Sequence, residues 1–293
     1  MKRLWGSSVF LVSALLCVSL ASLCGHIAGR TSATAVQSTA DVQTIKLPIV
    51  MYHHVLKERA RLNKYTVSPA ELRCDFEYIK AQGYTAVLPS ELIEYCEKGT
   101  PLPKRPIMIS FDDGHESFYK YVYPMLREYG YKAVFSPVGV YTDRYSTQED
   151  HHISYSHCTW SELKELQQSG LVEIENHSYN LHENKNGRHG SKKKQGESDG
   201  EYRKVLLDDI GKMQDECENF LGIRPNTFTY PYGQISAEAL PILKEMGFKA
   251  ALICQEKFNY LTGEPEELYH LNRFNRAHND SLKAILERAE SVE

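Results

Sequence analysis

The chain has 293 residues, with 34 Lys and Arg against 38 Asp and Glu and a formal charge of −4. That length holds one large α/β domain or two small ones. The charge leaves no electrostatic footprint for a nucleic-acid partner, so none is expected.

Lys2 and Arg3 precede an uncharged, mostly apolar stretch from Leu4 to Leu23. This is the pattern of a secretory signal, and at about 20 residues it is also long enough to cross a bilayer if uncleaved. Ala33-Thr34-Ala35 offers small residues for cleavage, while Cys17 and Cys24 each follow Leu, so no lipid anchor is expected. Residues 1–35 hold three basic and no acidic side chains, and their removal takes the charge from −4 to −7. The expected division is a signal peptide or membrane anchor over 1–35, a Ser/Thr/Ala/Gln-rich linker over 36–46, and one folded domain over 47–293. The domain is then secreted, or anchored to the outer face of the cytoplasmic membrane, touching the membrane only through the N-terminal segment. It is expected to be a monomer. Beyond the leader lie Cys74, Cys96, Cys158, Cys217 and Cys254, scattered, odd in number and without a Cys-x-x-Cys pair. They read as buried structural thiols, at least one of them free.

The folded part opens with the apolar strand Leu47-Pro48-Ile49-Val50-Met51-Tyr52, running into His53-His54, a pair that either lines a site or packs. Ser68-Pro69-Ala70-Glu71 is a capping box with proline at the first helical position. Leu72, Phe76 and Ile79 form that helix's apolar stripe, and Gly83 ends it. A strand over Tyr84 to Leu88 and a short helix capped by Ser90 follow. Pro106 to Gly114 reads as a buried parallel strand closed by glycine, with Asp112 and Asp113 at its end. A helix carrying Tyr121, Met125 and Leu126 runs to Gly130, then comes a strand over Lys132 to Val138 and a polar loop. Thr159-Trp160-Ser161-Glu162 is a second capping box, opening a helix to Gly170, and Leu171 to Asn176 is the next strand.

A long charged loop contains Lys192-Lys193-Lys194, most simply a solvated run. A helix from Glu201 to Leu221, a strand over Thr227 to Tyr230, a helix from Ser236 to Met246 and a strand over Phe248 to Ile253 complete the series. Asp280 caps a final helix. Some seven βα units without sequence repeats imply a parallel sheet, most economically closed as a barrel, with an open doubly wound sheet as the alternative. No Gly-x-Gly-x-x-Gly or Walker pattern is present, which lowers the nucleotide option.

The chemistry gathers where strands end, as it does in α/β folds. Neighbouring residues leaving a strand point different ways, so one of Asp112 and Asp113 can hold a metal while the other handles protons. An Asp-Asp-Gly sequence also serves simply as a turn or a helix cap. His177 ends a strand and His182 follows five residues later, about 140° apart on any shared helix. Placed on a strand end and the turn behind it, the two rings can converge, with Asp113 as the third ligand. Two His and a carboxylate with an open position suit catalytic zinc or non-haem iron. Phe228-Thr229-Tyr230-Pro231-Tyr232-Gly233 makes a tight turn after another strand, able to aim a backbone N–H into a site.

Ser110-Phe111-Asp112-Asp113-Gly114, His177-Ser178-Tyr179-Asn180-Leu181-His182 and Tyr230-Pro231-Tyr232-Gly233 together resemble the first three motifs of the polysaccharide deacetylases. These share the NodB-homology domain of carbohydrate esterase family 4. The likeness runs from about Leu47 to Arg276, and the five-residue His spacing is similar to the poly-N-acetylglucosamine deacetylase branch. The resemblance implies a distorted (β/α)7 barrel and a metal-dependent hydrolase of N-acetyl groups on an amino-sugar polymer: poly-N-acetylglucosamine, peptidoglycan or a chitin-like chain. It implies Asp113, His177 and His182 as ligands of a divalent metal, usually Zn2+, and Asp112 as general base. Tyr232 would contribute its N–H to the oxyanion, and Tyr230, Pro231, Tyr232, His53 and His54 would contact substrate. Two departures stand out. Thr229 occupies a position where many members carry Arg, and no late Leu-x-His is recognisable. Arg273-Phe274-Asn275-Arg276 lies in that region, leaving His278 as the candidate general acid. The same site on an O-acetyl xylan esterase, a small-amide hydrolase or a non-catalytic glycan-binding protein is the alternative.

Overall fold

The computed structural model describes residues 44–148 and 150–292. The proposed signal or anchor and most of the proposed linker lie outside the described residues. Among the described residues, seven parallel strands build the barrel: β1 (Ile49–Tyr52), β2 (Pro106–Asp113), β3 (Ala133–Pro137), β4 (Val172–Ile174), β5 (Thr227–Thr229), β6 (Ala250–Leu252) and β7 (Phe274–Asn275). Continuous ladders join β7–β1–β2–β3–β4 and β5–β6. Single parallel bridges, Asn176 to Phe228 and Leu252 to Leu271, close the remaining gaps. The result is a (β/α)7 barrel, distorted at the two places where one bridge replaces a ladder.

The period of two along β2 decides what faces where. Ile107, Ile109 and Phe111 turn outward into a fully buried layer, shared with Leu72, Phe76 and Ile79 of helix α1 (Pro69–Ala81). Met108 turns inward with Ile49, Val134, Ala250 and Leu252, filling the lower barrel. Ser110 and Asp112 continue this inner row toward the carboxyl end of the strand, so the first catalytic candidate is aimed inside by the same alternation that buries the core.

The helices follow the capping signals. α1 has Ser68 as its cap, with Glu71 returning the bond, and α5 (Trp160–Gln168) uses Thr159 and Glu162 in the same way. Between them come α2 (Pro89–Lys98), α3 (Tyr123–Tyr129) and α4 (Gly139–Thr147), and after them α6 (Asp199–Leu221), α7 (Ala239–Glu245) and α8 (Leu282–Glu290).

Five local expectations need correction. Ile45 and Lys46, placed in the linker, belong with Leu47 to a strand antiparallel to Asn259–Leu261, and Pro48 separates it from β1. α2 starts two residues earlier than a Ser90 cap would place it, the Leu88 N–H being capped by Glu91, while the Ser90 hydroxyl donates to Glu173. α8 is capped by the Ser281 side chain, and Asp280 pairs with Arg288 instead. α4 was expected to be loop, because Gly, Val, Thr, Tyr and Ser are weak helix formers. Its Asp143 is held by Trp160 Nε1 and the Tyr179 hydroxyl. Nor is the lysine run simply solvated: Lys193, with a side chain 19% exposed, ties Asp199 at the head of α6 to Glu238 before α7.

One buried charge pair fastens the two ends of the domain. Asp75 on α1 accepts from Arg276 Nε at 2.7 Å, the Tyr52 hydroxyl at 3.0 Å and the Leu282 N–H at 3.1 Å. Removing one partner of such a pair strands the other in the interior, at a cost of about 3–5 kcal/mol. Asp75→Ala is therefore expected to lower the thermal midpoint by about 10 °C or more, read by differential scanning calorimetry. A shift within a degree or two would show that water reaches Arg276 freely.

Candidate active site

The site sits over the carboxyl ends of the strands, in a pocket of about 780 Å³ whose lining includes His53, Asp112, Asp113, His177, His182 and Tyr232. Asp113 leaves β2 with φ +72°, an uncommon conformation for a residue other than glycine. This breaks the strand alternation, so Asp113 need not follow Asp112 to a fixed face. Gly114 follows with φ +87°, where a Cβ would sit 2.8 Å from that of Pro137. The turn therefore needs glycine.

His177 emerges one residue past Asn176, whose backbone bridges to Phe228 and whose side-chain amide donates to the Ile210 carbonyl of α6. Ser178, at φ +71°, reverses the chain, and its hydroxyl accepts the Leu181 N–H. The Asp209 carboxylate accepts the N–H groups of Tyr179 and Asn180 at 2.9 Å each. This compact turn brings His182 back beside His177.

Asp113 Oδ1 then lies 3.3 Å from His182 Nε2 and 3.6 Å from His177 Nε2, and it has no hydrogen-bond partner. His177 Nδ1 is 2.7 Å from the Thr229 carbonyl. The carbonyl can only accept, so Nδ1 carries a proton, and whenever the ring is neutral its Nε2 lone pair faces Asp113. A carboxylate oxygen and two imidazole nitrogens converging in this way are a set that a divalent cation satisfies. His with carboxylate is also a donor combination that zinc accepts. Among the described residues a second cluster, Glu116, His151 and Glu162, has comparable spacing.

Burial alone would raise the Asp113 carboxyl, but the facing imidazoles, His177 foremost, hold it well below the usual range. Burial, reinforced by His177, lowers His182 to about 4, the neutral form a metal requires. For His177 burial also disfavours charge, yet the two neighbouring carboxylates carry it above its ordinary value.

Asp112 has a different environment. Arg273, fully buried, grips it with both guanidinium arms, Nη1 to Oδ1 at 2.7 Å and Nη2 to Oδ2 at 2.8 Å. Arg273 Nε is itself held by the Ile253 carbonyl. Burial pushes the Asp112 carboxyl up, and the guanidinium, with His177 and His53 behind it, more than offsets this, so Asp112 stays ionised and fixed in angle. Sequence reasoning missed Arg273. The signal was available: Thr229 stands where an arginine was expected, and two arginines appear in the late Arg273-Phe274-Asn275-Arg276 segment. Thr229 in turn shares a hydrogen bond with Ser136 at 2.8 Å inside the barrel.

The remaining candidates divide. His53 lines the pocket, with its Nδ1 buried and unpartnered, and burial lowers its pKa. His54 faces away, with Nδ1 on the Ser117 hydroxyl at 2.7 Å and its ring stacked on His115 at 4.0 Å. Tyr232, at φ +57°, projects a half-exposed ring over His182 at 4.4 Å and against His189 at 4.8 Å. Tyr230 instead packs on Phe228 in the core, and Pro231 is buried beneath the turn. His278 does not reach the site: its Nδ1 is 2.9 Å from Glu71 on α1.

His115 and His157 form a wall behind Asp113. His115 Nε2 is 3.8 Å from Asp113 Oδ2, and His157 stacks on His115 and on Tyr141 at 4.6 Å each. Burial depresses His157 to about 4. A histidine whose folded pKa lies below its unfolded value near 6.5 contributes stability above pH 6.5 that is lost as pH falls toward 4, by about 3 kcal/mol at most. Urea unfolding is expected to show this loss in the wild type and a flatter dependence over pH 4–6.5 in His157→Phe. Identical slopes would refute the assignment.

The polysaccharide deacetylase family matches residues 99–251. The chain is similar to the poly-beta-1,6-N-acetyl-D-glucosamine N-deacetylase of Escherichia coli, 26% identical over 83% of this chain and 38% of the relative. The Staphylococcus aureus protein of the same name is 26% identical over 67% of this chain and 63% of its own length. This chain thus spans well under half of the first relative and somewhat under two thirds of the second. Among solved structures, a de-N-acetylase from Aggregatibacter actinomycetemcomitans superposes with a TM-score of 0.70 at 26% identity, covering 83% of this chain and 99% of that one. With the family matched over more than half of its residues and a solved deacetylase superposing along most of its length, the chain belongs to the polysaccharide deacetylase family.

Proposed function

We propose that this chain hydrolyses N-acetyl groups on a β-1,6-linked N-acetylglucosamine polymer, with Asp113, His177 and His182 holding one divalent ion, most simply zinc. The observation that carries the reading is the unpartnered Asp113 Oδ1 facing two imidazole nitrogens, beside a second carboxylate held separately by Arg273. The names of the curated relatives support the substrate class.

When bound, such an ion supplies Lewis acidity toward a water and the acetyl carbonyl. Asp112, ionised and unable to rotate away from Arg273, is the group that accepts the proton of the attacking water. The Tyr232 N–H, in a turn held at φ +57°, donates to the oxyanion. His53 takes over the acid role first considered for His278. It lines the same pocket as Asp112, and in this reading it hands a proton to the departing amine. Tyr232 and Tyr65, both substantially exposed, line the pocket and offer ring faces to sugar. An exported location, secreted or membrane-anchored, fits a polymeric substrate of the cell envelope.

The test is acetate release by the full chain from poly-β-1,6-N-acetylglucosamine, chitooligosaccharides, peptidoglycan and acetyl-xylan, with zinc added. The first polymer is expected to give the highest kcat/KM. Preference for acetyl-xylan would assign the site to ester cleavage, and glycan binding without acetate release would make the protein a non-catalytic binder.

A further inference from the structure

Glu116 lies three residues past Asp113, in the turn that leads into α3, and its side chain is completely buried. Such a carboxylate normally has all its oxygens satisfied or a cation in contact. Glu116 has neither. Oε2 has no hydrogen-bond partner, and Oε1 meets only His151 Nδ1 at 2.8 Å and the Lys120 ammonium at 3.4 Å.

Glu162 stands opposite. Its Oε2 is committed to the capping box of α5, accepting the Thr159 N–H and hydroxyl. Its Oε1 faces Lys120 at 3.7 Å. One ligand atom from each of Glu116, His151 and Glu162 falls within 4.8 Å of the others, a spacing open to one ion at ordinary coordination distances. Lys120 currently provides the positive charge, but at separations too long for hydrogen bonds. Its side chain is 42% exposed, free to swing into water.

We propose that Glu116, His151 and Glu162 form a second divalent-cation site, independent of the Asp113 centre, at which the ion displaces the Lys120 ammonium. One imidazole with two carboxylates favours a first-row ion such as Zn2+ or Mn2+ over Ca2+ or Mg2+, which prefer all-oxygen shells. The site has a structural consequence. The Glu116 N–H already donates to the Ser156 carbonyl of the 150–158 segment at 2.9 Å, and the Cys158 N–H donates to the Gly114 carbonyl. An ion joining His151 to Glu116 and Glu162 clamps that segment to the β2 turn and to α5. The segment carries His157, whose ring backs His115 and through it Asp113. The second ion therefore stiffens the wall of the first centre.

The experiment is metal stoichiometry by mass spectrometry and Zn2+ titration calorimetry on the full chain. Wild type is expected to bind two ions. Glu116→Gln should bind one, and the double variant Asp113→Asn with His177→Ala should keep the other. Glu162→Gln preserves the cap acceptor while removing the charge, and it should weaken the second event at least about tenfold. Lys120→Met removes the competing ammonium and should tighten that event, an outcome that a purely structural lysine would not give. A single ion in wild type, or an unchanged second event in Glu116→Gln, overturns the proposal. Should Glu116→Gln fail to fold, His151→Ala decides alone: this side chain is more than half exposed, and an unchanged second affinity there also overturns it.

Discussion

Asp112→Asn is expected to lower kcat for acetate release by about 10²–10⁴, the usual contribution of a positioned general base, with zinc content at the Asp113 centre unchanged. The reason is positional. Asp112 follows the inner row of β2 and both its oxygens are taken by Arg273. Asp113 leaves the strand at φ +72° and turns one unpartnered oxygen toward His177 and His182. Asp113→Asn should show the opposite pattern, with weakened metal binding and activity partly restored at high zinc. Kinetics and metal analysis on both variants decide the matter. If Asp112→Asn loses the ion and Asp113→Asn keeps it, the two roles are reversed.

Arg273→Met should change the pH dependence of the reaction as well as the stability. The guanidinium lowers the Asp112 carboxyl against a burial effect that raises it. Removing it leaves only His177 and His53 to oppose burial, so the carboxyl pKa rises and the base becomes protonated at higher pH. The acid limb of the kcat/KM profile is therefore expected to move to higher pH by more than a unit. Leaving a buried carboxylate unpaired should also cost about 3–5 kcal/mol of stability. Arg273→Lys should recover only part of both losses, because an ammonium lacks the planar two-armed fork. An unmoved acid limb in Arg273→Met would mean that Asp112 does not titrate as the catalytic base.

Much of this was legible in the sequence because it rests on local rules. Capping boxes at Ser68 and Thr159 placed two helices, and the apolar run of β2, closed by Gly114, placed the strand that carries both aspartates. The five-residue spacing of His177 and His182 was readable as a strand end plus turn. What stayed hidden depends on closure of the barrel. Arg273 and Asp112 are far apart in sequence and meet only because β7 pairs with β1 and β1 with β2. The partition of His53 from His54 follows from strand alternation at the barrel rim, which a His-His pair cannot reveal by itself. His278 suited the late position of an acid, but the α1 capping box, through Glu71, holds it elsewhere. α4 was missed because its sequence has little intrinsic helix preference, and tertiary contacts through Asp143 support it.

The measurement that bears most directly on the central claim is acetate release from poly-β-1,6-N-acetylglucosamine by the purified full chain, before chelation, after chelation and after restoration of zinc. The account predicts release that stops on chelation and returns with one equivalent of zinc at the Asp113 centre, and no return in Asp113→Asn at that equivalent. Undiminished release from the chelated protein, or full recovery in that variant, would contradict it.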